Sequence, residues 1–161
     1  MDAASRRCLS VGAALALVLA PAVGAAKRPS LILESVHVEP ASPGPDTLCR
    51  LRVTVRSTGE RPASALQFAV KLNGRDLAAY KNRVYMQSIE PGAARELHLF
   101  NFWSTEAGRP APGNGKLTLE VTLAGAAWMQ REMKEGAEIW TPLSPVEGLP
   151  ITKSLAVKMS K

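Results

Sequence analysis

The chain has 161 residues, 46% hydrophobic and 21% charged, with a formal net charge of +6. That length suits one domain after a leader, and the scattered Lys and Arg residues form no nucleic-acid-type cluster. Of its two cysteines only Cys49 follows the leader, which excludes an internal disulfide in the mature chain.

Arg6 and Arg7 precede an apolar run from Leu9 to Ala20, and Pro21 and the small residues Gly24, Ala25 and Ala26 follow. Charge, short apolar core and small-residue site are the order of a secretory signal peptide, with cleavage after Ala25 or Ala26 both fitting. An uncleaved anchor needs about 20 apolar residues and fits this shorter run less well. Cys8 precedes the apolar core, the wrong side for a lipoprotein. Removal of residues 1–26 leaves 18 basic and 13 acidic residues, a balance of about +5. The remaining stretch of about 135 residues can supply a hydrophobic core without disulfide support.

Leu31 to Val38 predicts a first strand, and Glu39 to Asp46, with Pro40, Pro43, Gly44 and Pro45, a loop. Thr47 to Ser57 is the next predicted strand, and Cys49 to Arg56 alternates within it. Cys49, Leu51, Val53 and Val55 share one face and Arg50, Arg52, Thr54 and Arg56 the other, as in a half-buried strand. Cys49 on the apolar face reads as a buried, inert thiol. Thr58 to Pro62 breaks the strand. Leu66 to Leu72 alternates again, Asn73-Gly74 signals a hairpin, and Asp76 to Tyr80 is the expected return strand. Arg83 to Ile89 is extended, and Glu90-Pro91-Gly92 turns the chain.

In Arg95 to Trp103 the residues Leu97 and Leu99 lie on one face, Phe100 and Phe102 on the other. Either a bulge shifts the register or both faces are covered. Glu106 to Gly115 is a Gly/Pro loop, and Lys116 to Leu123 a clean strand with Leu117, Leu119, Val121 and Leu123 inward. Alternation fails from Ala124 to Pro150, which fits either a helical turn around Gln130 to Glu135 or a wide hairpin. Leu155, Val157 and Met159 alternate in a last strand. Seven or eight short strands without a long amphipathic helix predict an all-β antiparallel sandwich over 27–161, with an irregular insertion at about 124–150.

In order, the chain shows Leu31-Ile-Leu-Glu-Ser-Val-His-Val-Glu-Pro, Leu51-Arg-Val-Thr-Val-Arg-Ser-Thr-Gly, Ala63-Ser-Ala, Val70-Lys-Leu-Asn-Gly and Ser88-Ile-Glu-Pro-Gly. Trp103 then closes a strand, and Pro112-Gly113 precedes another. Over residues 31–123 this order resembles CARDB domains, the cell-adhesion-related domains of bacterial surface and exported proteins. The resemblance implies an immunoglobulin-like sandwich and a binding module. The family's acidic, Asn-rich segment is missing from Ala124 to Pro150, so no ligand role tied to it is carried over. A fainter resemblance, in the Pro-Gly turn before a strand ending in Trp, is to small proteinase-inhibitor sandwiches.

Within 124–150 the candidate binding residues are Trp128 and Trp140, as anchors for a partner or stacking platforms for a sugar, and Met129 and Met133. The bland alternative has both Trp plugging an open end of the sandwich. On a helix Met129 and Met133 would share one face, and thioethers with a His suit Cu(I); core packing is the simpler role for such a pair. His37 and His98, the only histidines, lie on separate strands, and a metal site would need a third ligand. Glu132, Glu135 and Glu138, interleaved with Arg131 and Lys134, read as a solvated face. No nucleophile elbow, paired-carboxylate signature, phosphate loop or CxxC motif is present.

The sequence therefore predicts an exported, non-catalytic binding module, periplasmic or secreted, with no cofactor. Its partner would be a protein or glycan of the cell envelope, with no nucleic acid, and membrane contact only through an uncleaved leader. The alternatives are copper handling through Met and His residues, or proteinase inhibition. The basic face of Thr47–Ser57 is a second candidate surface.

Overall fold

The computed structural model describes residues 30–77, 83–105 and 115–160. The expected leader with Cys8, the end of the predicted return strand at Tyr80, and the Pro112-Gly113 turn lie outside the described residues.

Nine strands and no helix are found among the described residues: β1 (Leu31–Glu39), β2 (Leu48–Ser57), β3 (Ala63–Leu72), β4 (Arg75–Asp76), β5 (Val84–Tyr85), β6 (Ala94–Trp103), β7 (Lys116–Lys134), β8 (Ala137–Pro145) and β9 (Ile151–Lys158). β4 and β5, the counterparts of the expected strands at 76–80 and 83–89, have two residues each, whereas β8 is a full strand where the sequence shows no alternation. All strand pairs are antiparallel. One sheet has the order β1-β2-β6. In the other β4-β3-β7-β8 run side by side, with β5 on β3 and β9 on β7.

The two sheets enclose one core. Val53, Val55 and Phe102 from the first meet Leu66, Leu119 and Leu123 from the second, and all are fully buried. Each such side chain is worth about 1.5–3 kcal/mol of transfer free energy, so the alternating faces hold the sandwich together. Cys49 belongs to this core, and burial raises the pKa of its thiol.

A bulge resolves the two-faced pattern of β6. Leu51 pairs with Phe100 and Arg52 with His98, which leaves Leu99 as the extra residue. The phase shift lets Leu97, Leu99, Phe100 and Phe102 all be buried. The Tyr85 hydroxyl donates to the Leu99 carbonyl at 2.7 Å, tying β5 to the bulge.

The stretch 124–150 holds no helix, and it is strand and tight turn as far as Pro145. β7 continues through it to Lys134 and returns as β8, so of the two conformations the sequence allows the hairpin is the one formed. Two irregularities hide it in the sequence. One lies where β3 passes Gly125 between Ser64 and Phe68; the other falls between Trp128 and Met129. Each shifts the inward phase, from Leu117–Leu123 to Ala126 and Trp128 and then again. Beyond Met129 no β7 residue is buried, so no core face imposes alternation.

Glu135 and Gly136 close the hairpin with φ of +54° and +80°, the two positive values of a type I′ turn. Glu pays for this region with its Cβ, whereas Asn tolerates it. Glu135→Asn is expected to stabilise the tip by about 0.5–1 kcal/mol. Because the tip opens locally, hydrogen exchange at the amides flanking the turn should slow about 2–5-fold, with little change in global unfolding.

Candidate functional site

β3 accompanies β7 only as far as the pair Ala63–Trp128, and the Met129 amide adds one more bond, to the Pro62 carbonyl at 2.8 Å. Among the described residues, β7 from Gln130 onward is paired with β8 alone, and β8 only with β7. The result is a two-stranded arm that leaves the sandwich. Nearly all of its residues from Gln130 to Pro145 are exposed.

Register sorts the arm into two faces. Met129–Pro142, Arg131–Trp140 and Met133–Glu138 are opposed pairs on one face; Gln130–Thr141 and Glu132–Ile139 are on the other. On the first face the Arg131 guanidinium lies 5.8 Å from the centre of the Trp140 ring, and its Nε meets Glu138 at 3.2 Å. Together these contacts fix the half-buried indole in place without covering it fully.

The structure separates the four predicted site residues. Trp128 packs against the core, with its ring edge over Gly59, where the chain crosses from β2 to β3. It plugs that end of the sandwich. Met129 is 3% exposed and Met133 is 70% exposed. Four strand residues set them about 13 Å apart, and neither His37 nor His98 lies on the arm. The expected set of Met129, Met133 and a His is therefore not brought together. No group of three His, Cys, Asp or Glu able to hold a metal occurs among the described residues.

Trp140 and Met129 do meet. With Ser64, Met86, Ser88 and Glu138 they line a cleft of about 300 Å³ between the arm and the segment after β5. The Ser64 hydroxyl donates to the Met86 carbonyl at 2.8 Å, which anchors that segment against β3. Sequence reasoning did not place Met86 here, because short pairings with β3, Leu66–Tyr85 before it and Ala63–Ile89 after it, carry its segment alongside. A second apolar cleft, of about 400 Å³, is floored by Ala65, Gly125 and Ala127 and walled by Leu143.

Exposed apolar residues gather here. Of eight large hydrophobic side chains exposed among the described residues, Met133, Ile139 and Leu143 lie on the arm, and Val84 and Met86 on or beside β5. Of the rest, Leu48 and Trp103 form a cross-strand pair on β2 and β6 and Ile32 lies on β1, so the larger group, at this end, has the composition of a contact surface.

The basic face of β2 is mostly neutralised. Arg52 donates to Glu96 at 2.6 Å and approaches Glu39 at 3.4 Å, while Arg56 meets Glu34 at 3.0 Å. The bond from Glu96, with the Glu39 charge behind it, raises the Arg52 pKa. His37 sits 3.4 Å from Glu96.

No family model and no curated protein matches the chain. Among solved structures it is similar to a β-glucosidase of Erythrobacter marinus, at 16% identity and a TM-score of 0.36. The match covers 72% of this chain and 15% of that one, so the chain spans a small part of that enzyme's length. No helix of the described residues is long and apolar enough to cross a membrane.

Proposed function

We propose that the chain is an exported, non-catalytic binding module that engages a protein of the cell envelope through the β7–β8 arm. The observation that carries this is the arm itself. Two strands leave the sandwich, bury almost nothing, and yet present to water Met133 on the face of Trp140, Ile139 on the opposite face and Leu143 at the base. An isolated two-stranded ribbon is marginal in water, and exposed apolar side chains add nothing to folding unless a partner covers them. Trp with a neighbouring Arg is the composition of an interface anchor. The motif order that resembles CARDB domains supports the same class of function. The leader pattern supports export.

A photo-crosslinking residue placed at Ile139 or Leu143, in cells that produce the full chain, tests the proposal. The expected result is a discrete protein adduct from both arm positions and none from Thr54 on the opposite sheet. Absence of an arm adduct, or equal labelling from Thr54, overturns it.

A further inference from the structure

The cleft between the arm and β5 has a donor set of its own. Three of its lining residues carry soft or aromatic side chains: Met129, which is buried, Met86, which is 66% exposed, and Trp140, which is half-buried. The one carboxylate present, Glu138, is already engaged by Arg131. Zn²⁺ and Cu²⁺ favour imidazole, thiolate or carboxylate ligands, whereas thioethers select Cu(I) and its heavier analogue Ag(I). An aromatic face beside a cation adds further attraction. We infer that this cleft binds a soft monovalent cation, Cu(I) or Ag(I), between the sulfurs of Met86 and Met129 and against the indole of Trp140.

The inference does not rest on the protein-binding proposal, because it concerns the isolated chain. It also departs from the Met129–Met133 pair that the sequence suggests, since β-geometry separates those two while the fold places Met86 and Met129 on one cleft. Thioethers have no proton to lose on binding. Affinity should therefore be flat between about pH 5 and about pH 8, where a histidine site would titrate.

The test uses the full chain with Cys8 and Cys49 both replaced by Ala, so that no thiolate competes. Ag(I) is titrated while tryptophan fluorescence and bound silver are followed. Saturable binding at one equivalent, unchanged by pH, is expected. Met86→Leu and Met129→Leu should each weaken it by about tenfold or more, Met133→Leu should leave it unaltered, and Trp140→Phe should abolish most of the quenching. Leu conserves volume, and Met86 is exposed enough that its variant folds regardless. No binding of Ag(I), or binding that survives both Met86→Leu and Met129→Leu, overturns the inference.

Discussion

Trp128→Ala is expected to lower the stability of the sandwich by about 2–4 kcal/mol, whereas Trp140→Ala costs less than about 1 kcal/mol. The two tryptophans are twelve residues apart in one hairpin, yet their surroundings differ. Trp128 closes the core where β2 hands over to β3. A Cβ at Gly59 would lie 2.3 Å from its ring, so the indole rests directly on the glycine backbone. Gly59→Ala should therefore displace the ring and cost about 1–3 kcal/mol by overpacking. In the Trp128→Ala background that penalty should largely vanish, because the clashing group is gone. Denaturant unfolding of the two single variants and the double variant closes a mutant cycle. Additive losses would mean that Trp128 is not the wedge described here. Trp140, by contrast, rests on Arg131 and the cleft wall, and its removal leaves the core intact.

The sandwich itself was legible because one face of each core strand is buried. From Cys49 to Val55 and from Leu117 to Leu123 every second residue is fully buried, and the sequence alternates in step. The β6 pattern was legible as an ambiguity, and the bulge at Leu99 decides it. The arm was legible only as one of two alternatives, a wide hairpin or a helical turn. Alternation is a record of burial, and past Met129 there is no burial to record; two phase shifts on the way add to the confusion. The type I′ turn was masked for a related reason, since Glu135-Gly136 lacks the Asn or Asp that usually announces it. For the site, Trp140 and Met129 were named, but in pairs with Trp128 and Met133, and the cleft they share appears only in the fold. Met86 could not be placed there, because it arrives through tertiary pairing. The arginines of β2 looked like a basic stripe only because Glu34, Glu39 and Glu96 lie on other strands.

Removing the outer arm should separate binding from folding. Gln130 faces Thr141, so replacing residues 131–140 by Asn-Gly closes the hairpin one rung above Met129–Pro142 and keeps the register. The deleted residues include Arg131, Met133, Glu138, Ile139 and Trp140, of which only Trp140 is even half-buried. Stability should change by less than about 1 kcal/mol, as for exposed surface elsewhere. The protein adduct formed by a crosslinker at Leu143, which the shortened chain retains, should fall by about thirtyfold or more, the loss of one aromatic hot spot of at least about 2 kcal/mol. A shortened chain that unfolds would place the arm in the core, against its exposure. A shortened chain that folds and still forms the adduct would move the contact to the Ala65–Leu143 cleft at the base of the arm. The tip is the better candidate, because its apolar side chains are the ones that folding leaves in water.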